Sequence, residues 1–242
     1  MSVKNTKSTF IFMMIFAFII GAATTKAQLV EPVVSLTGSV FNQITKEPET
    51  VFLIVKNQDG KKVTAARSNS TENGYYYITG LKPGHTYTIE LRQKNFMKEK
   101  HEIEIADTKK YAEISKDFLV KPMKKGAEIQ IQVPPFELNK SKLRYGAEFL
   151  LEDLTNTLKY NPEVNFKIKC YPDKAGNEGQ NLRLTTDRAK SLKEFFVEHG
   201  IDGSRITVEG SGTVDPDNPP PKEKQAKGKR YIGTSYIMIQ DF

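Results

Sequence analysis

The hydrophobic pattern of this chain keeps strand period until residue 146, and the first departure from it restricts the fold more than any other feature. Up to about residue 125, apolar and polar residues alternate as they do along a strand. From residue 147 to 158 the apolar residues recur at helical spacing, and strand alternation returns from Val164 to Tyr171. From Thr86 to Leu91, Tyr87, Ile89 and Leu91 fall on one side and Thr88 and Glu90 on the other, and Ile103 and Ile105 repeat the alternation. Val33 to Phe41 and Thr50 to Asn57 are rich in β-branched and aromatic residues, which suit a pleated, half-buried surface. Asp59-Gly60, Asn73-Gly74 and Pro83-Gly84 separate these runs, and each supplies the backbone freedom of a tight turn. Short strands punctuated this way predict an all-β sandwich over residues 28–125. Within Tyr75-Tyr76-Tyr77, alternation predicts that the outer two face the core and Tyr76 faces solvent; the rival reading is a tyrosine binding patch.

Residues 126–242 read differently. A linker is expected near Pro122 to Gly126. Ile129, Ile131 and Val133 then alternate as a strand. Ala147, Leu150, Leu151, Leu154 and Leu158 form one helical stripe, which Asn161-Pro162 ends. Val164 to Tyr171 reads as a strand and Pro172 to Gly176 as a loop. A second helix is expected from about Gln180 to His199, with Gly200 as its stop. Strands follow at 205–209 and 231–239. The order β-α-β-α-β-β predicts a second domain of α+β type, two helices on a mixed sheet.

The first residues read as an address. Lys4 and Lys7 precede a 14-residue apolar run, Phe10 to Ala23, with Thr25 and Ala27 at the −3 and −1 positions of a cleavage site. That run is short of the roughly 18–20 residues needed to span hydrocarbon. Residues 1–27 are therefore expected to be a secretory signal peptide, with an uncleaved N-terminal anchor as the alternative, and the protein to be exported. No cysteine stands at the cleavage point for a lipid anchor. Losing Lys4, Lys7 and Lys26 lowers the formal net charge from +7 to +4. That mild surplus lacks the concentrated basic stripe of a nucleic-acid binder. The one cysteine, Cys170, excludes an intramolecular disulfide and reads as a small buried residue. His85, His101 and His199 are scattered and form no catalytic constellation, and no glycine-rich phosphate loop follows a strand. An enzyme, a cofactor and a metal site are not expected.

Two resemblances sharpen this reading. Thr37-Gly38-Ser39-Val40, Asn73-Gly74-Tyr75-Tyr76, Gly80-Leu81-Lys82-Pro83-Gly84 and Tyr87-Thr88-Ile89 resemble the carboxypeptidase-regulatory-like, transthyretin-like domain. That resemblance implies a non-catalytic module or spacer. Phe136, Asn139 and Leu143 match a Phe-x-x-Asn-x-x-x-Leu opening. Pro172-Asp173-Lys174-Ala175-Gly176 matches a loop that carries an Asp. Asn181-Leu182-Arg183-Leu184-Thr185-Thr186-Asp187-Arg188-Ala189 matches an Asn-x-x-Leu-Ser-x-x-Arg-Ala helix, and Val208-Glu209-Gly210-Ser211-Gly212 the strand that follows. Together these resemble the OmpA-like C-terminal domain, also found in peptidoglycan-associated lipoproteins and flagellar motor stators. Cys170, Pro172 and Gly228 to Tyr231 depart from its pattern.

This resemblance implies non-covalent binding of peptidoglycan, with Asp173 and Arg188 holding the diaminopimelate of the stem peptide and Asn181 and Thr185 beside them. The chemistry is consistent: one fixed anion takes an ammonium, and a guanidinium fork takes a carboxylate. A periplasmic or outer-membrane-associated place in a Gram-negative envelope follows. The sandwich could dock a second envelope protein. The alternative function is a protein-interaction scaffold whose OmpA-like domain has lost or altered its grip on the wall.

Overall fold

The computed structural model describes residues 32–222 and 230–242. The signal peptide expected at 1–27 lies outside the described residues. Twelve strands and two α-helices are present among them, and Val33–Phe242 packs as one compact unit.

The alternating half forms two four-stranded sheets. In one, β1 (Val34–Asn42) pairs with β4 (Tyr75–Leu81) antiparallel and with β7 (Ala112–Ser115) and β8 (Phe118–Val120) in parallel. The other has the order β3-β2-β5-β6, built from β2 (Phe52–Lys56), β3 (Lys62–Arg67), β5 (Thr86–Arg92) and β6 (Glu99–Glu104). Leu36, Val40, Ile78, Leu53, Ile89 and Ile103 come from both sheets and join one apolar cluster. Burying that cluster is what drives the sheets together.

The tyrosine run is a correction. Tyr76 is buried at 1 % exposure, whereas Tyr75 and Tyr77 are 44 % and 46 % exposed. The phase of β4 is set by Ile78 and Leu81, which must face the core, and Tyr76 shares their side. Its hydroxyl donates to the Lys116 carbonyl at 2.7 Å, so the ring is buried without a stranded polar group. Glu90 alternates outward as expected yet is buried, because Lys56 and Arg92 cover it with ion pairs of 2.7 Å each.

In the second half the sheet order is β11-β10-β12-β9, from β9 (Glu128–Gln130), β10 (Asn165–Cys170), β11 (Ile206–Gly210) and β12 (Ser235–Asp241). β10 and β11 are parallel and the other pairings antiparallel, a mixed sheet. Helices α1 (Ala147–Tyr160) and α2 (Glu178–Glu198) join its core through Leu151, Leu154, Leu158, Leu192 and Phe196. Phe166, Ile168 and Cys170 fill the sheet side of that core, while Lys167 and Lys169 face away and pair with Glu209. Arg205 closes the end of α1 by donating to the carbonyls of Leu158 and Asn161, groups that the helix itself leaves unpaired. Asn177 caps α2 by accepting from the Gln180 N–H, so the helix begins before the expected Gln180. The last strand starts at Ser235 rather than Tyr231.

The halves are joined by side chains as well as by the chain. Met97, in the loop between β5 and β6, is 0 % exposed and belongs to the helix-bearing core rather than to the sheets it follows. Next to it the buried Asn161 accepts from the Lys98 N–H and donates to the Lys98 carbonyl, both at 2.9 Å. This copies the two-point pairing of a strand.

Candidate functional site

Residues 136–143 make a small closed loop. Phe136 and Leu143 form an antiparallel bridge at its base, and Asn139 at its tip has φ +56°. Asparagine tolerates that left-handed conformation better than most residues, which gives the Phe-x-x-Asn-x-x-x-Leu spacing a physical reason. The Asn139 N–H consequently points inward and donates to Asp173 Oδ2 at 2.7 Å.

Asp173 follows the end of β10 and is 5 % exposed; Arg188, midway along α2, is 0 % exposed. The two meet as a fork. Arg188 Nη1 donates to Oδ1 at 2.7 Å and Nη2 to Oδ2 at 2.9 Å. The guanidinium also donates from Nε to the Lys140 carbonyl at 2.9 Å and from Nη2 to the Glu137 carbonyl at 3.2 Å. Its carbon lies 5.1 Å from the centroid of the Phe136 ring, a cation–π contact. Asp173 Oδ1 takes a further bond from the Gly233 N–H at 2.8 Å. Four segments thus converge on one ion pair. Burial alone would raise the Asp173 carboxyl, but the Arg188 fork and the N–H groups of Asn139 and Gly233 outweigh it and hold the group below the usual carboxylate range.

Asn181 and Thr185 lie on the same helix, nearer its start. Asn181 Nδ2 reaches the carbonyls of Lys174 at 3.1 Å and Gly212 at 3.2 Å. Thr185 Oγ1 lies 2.9 Å from the carbonyls of both Asn181 and Ser211, and its single proton serves one at a time. Gly210 permits this approach, since a Cβ there would stand 2.4 Å from Thr186 Oγ1 and 2.6 Å from Thr185 Oγ1. All four residues named from the sequence therefore face loops that gather around α2. Asp173 and Arg188 are in direct contact. Asn181 and Thr185 hold the 210–213 segment instead. The cap of α2 is Asn177, not Asn181.

Sequence reasoning missed the contributions of Glu137, Asn139, Lys140 and Gly233. All act through backbone atoms, which leave no signal in side-chain identity apart from the motif asparagine. It also missed a second charged cluster. Glu99, His101 and Asp153 each offer a ligand atom within 4.8 Å of the others, a spacing able to hold a metal ion. The Lys121 ammonium stands there, 3.1 Å from Glu99 and 2.7 Å from Asp153. Burial works against that ammonium, yet the two carboxylates raise its pKa, and in return it holds Asp153 below its ordinary range. His101, expected to be incidental, lies 3.2 Å from Glu99 and against the Phe118 ring.

Residues 135–230 match the model described as the OmpA family. The chain carries an OmpA-family domain there. The matched span contains the 136–143 loop, Asp173, Asn181, Thr185 and Arg188; Gly233 and the edge strand β9 lie outside it. Peptidoglycan-binding protein ArfA of Mycobacterium tuberculosis is 35% identical over 83 residues, 34% of this chain and 25% of that protein. Probable lipoprotein YiaD of Escherichia coli is 30% identical over 94 residues, 39% of this chain and 42% of that protein. The chain thus covers a quarter to under half of these relatives. The crystal structure of the peptidoglycan-associated lipoprotein from Burkholderia pseudomallei is similar over 43% of this chain and 86% of that one, at 17% identity and a TM-score of 0.37. No helix among the described residues is long and apolar enough to cross a membrane.

Proposed function

We propose that this protein binds peptidoglycan without covalent chemistry and so anchors or stabilises the cell envelope. The observation that carries the reading is the Asp173–Arg188 fork at the junction of four segments in an OmpA-family domain. The name of the similar ArfA protein supports the same ligand class. Diaminopimelate presents an ammonium and a carboxylate on one short side chain. The ammonium goes to Asp173 and the carboxylate to Arg188, so one intramolecular ion pair is exchanged for two intermolecular ones. Neither buried ion is left without a counter-charge, which keeps the exchange from incurring the penalty of an isolated buried charge. Asn181 and Thr185 shape the neighbouring rim. The protein acts in the exported, outer-membrane-associated envelope of a Gram-negative bacterium, in keeping with the leader and with similar proteins named outer membrane protein A. Residues 28–125 serve as a carboxypeptidase-regulatory-like sandwich that docks an envelope protein.

One observation favours a second reading. Asp173 and Arg188 already satisfy each other and are closed off from water. An OmpA-family domain kept as a protein-interaction scaffold would look the same. Sedimentation of the protein with isolated peptidoglycan separates the two, using diaminopimelate-type and lysine-type walls and the variants Asp173→Ala and Arg188→Ala checked for folding by circular dichroism. Binding to the diaminopimelate wall that folded variants lose upholds wall binding. Absence of wild-type binding moves the function to the scaffold.

A further inference from the structure

The connection from β11 to β12 has a buried carboxylate at its base. Asp215 is 1 % exposed. Its Oδ2 accepts from the hydroxyls of Thr234 and Tyr236, the latter at 2.6 Å, and its Oδ1 from the Asp217 N–H at 3.0 Å. These partners are neutral donors, enough together to keep a buried anion charged. Asn218 Nδ2 donates to the Tyr236 hydroxyl at 2.8 Å, and the Tyr231 hydroxyl donates to the Asn218 carbonyl. The outgoing arm, 215–218, and the returning arm, 231–236, are thus fastened at one hub.

The hub adjoins the Asp173 site through consecutive residues. Thr234 gives its hydroxyl to Asp215 and its carbonyl to the Tyr171 N–H at 2.9 Å, while Gly233 gives its N–H to Asp173 at 2.8 Å. Gly233 is wedged against the chain before Asp173: a Cβ there would stand 2.0 Å from the Tyr171 oxygen. A small shift of the returning arm would therefore withdraw the Gly233 N–H from the carboxylate. The same fastening explains why β12 starts four residues later than its apolar pattern suggests.

We infer that Asp215 is a positioning residue of the Asp173–Arg188 site, holding Thr234 and Tyr236 so that the Gly233 N–H stays on Asp173. It touches no ligand and acts through Gly233. Its meaning for wall binding rests on the function proposed above; its effect on Asp173 does not.

The test uses the full chain with Asp215→Asn, which keeps the size of the side chain but offers one acceptor oxygen where two were used, and Tyr236→Phe, which removes one hydroxyl. Carboxyl carbon NMR follows the titration of Asp173, and sedimentation follows binding to diaminopimelate-type peptidoglycan. Leu158→Val, in the core of α1, controls for general loss of stability. The Asp173 midpoint is expected to rise in Asp215→Asn and less in Tyr236→Phe, and to stay put in Leu158→Val. Loss of a neighbouring negative charge would by itself lower that midpoint, so a rise reports the lost N–H. Wall affinity is expected to fall about three- to tenfold in Asp215→Asn, the effect of one hydrogen bond. An Asp173 midpoint that does not rise in either variant overturns the inference, whatever the wall does. If Asp215→Asn does not fold, Tyr236→Phe decides. If the wild type ignores the wall while Asp173 still responds, the coupling stands and the wall-binding reading falls.

Discussion

Arg188 and Asp173 meet through two N–H···O bonds of 2.7 and 2.9 Å with both side chains closed off from water. A pair in that setting is expensive to break from one side only, because the survivor is a buried, uncompensated charge. Arg188→Ala is expected to lower stability by about 3–5 kcal/mol, read from urea denaturation. The double variant Asp173→Asn with Arg188→Met is expected to lose less than Arg188→Ala alone. If the double variant is the worse of the two, the cost lies in packing around α2 rather than in the orphaned carboxylate.

Acid should weaken the protein partly through Asp173. Its folded-state carboxyl lies below the ordinary range. The unfolded chain therefore takes up the proton first as pH falls, and the stabilisation is complete above the usual carboxylate pKa of about 4. It is lost as pH drops through the lower, folded value. Asp153 and Asp215 are shifted the same way and add to the slope. Asp173→Asn should flatten the acid limb of stability against pH and leave the neutral region parallel to wild type. Equal slopes for the two proteins would rule Asp173 out as a contributor.

Met97 ties the sheets to the other core. Trimming it to alanine is expected to cost about 2–5 kcal/mol, the usual range for a large apolar side chain removed from a packed interior. Residues 126–242 alone should show a comparable deficit, because they lack that side chain. Thermal unfolding of both, beside the full chain, checks this. An isolated segment as stable as the whole would show that Met97 merely rests on the domain.

Lys121 substitutes for a bound cation among Glu99, His101 and Asp153. Lys121→Ala should destabilise the protein by about 3–5 kcal/mol, chiefly through the buried Glu99 carboxylate, since the Asp153 side chain is half in water. It also frees a set of ligands suited to Zn²⁺. Zinc is expected to restore part of the lost thermal midpoint in Lys121→Ala and to leave wild type unchanged. Zinc without effect on the variant would mean that the three ligands need the lysine to stay together.

Much of this architecture is legible in the sequence because burial has a period. Ile89, Leu91, Leu154 and Leu158 show their faces by spacing alone. Asp173 and Arg188 were found as a pair through the loop and helix motif, since nothing in the spacing of two residues fifteen apart says that they touch. What escaped has one cause. The phase of Tyr75-Tyr76-Tyr77 depends on which neighbours already occupy the core, and the roles of Gly233, Asn139 and Glu137 belong to backbone atoms. Asp215 looks like any acid in a proline-rich turn until Thr234 and Tyr236 fold back onto it.

The Met97 plug and the Asn161–Lys98 pairing also bear on avidity. Two binding surfaces joined by a slack tether share an effective concentration set by how often the tether brings them into range. Here the exposed Tyr75 and Tyr77 face and the Asp173 loop belong to one packed body, so no tether has to be ordered. If the loop engages the wall as proposed, the tyrosine face is presented at a fixed spacing. A contact there too weak to hold alone would then slow release of the whole molecule.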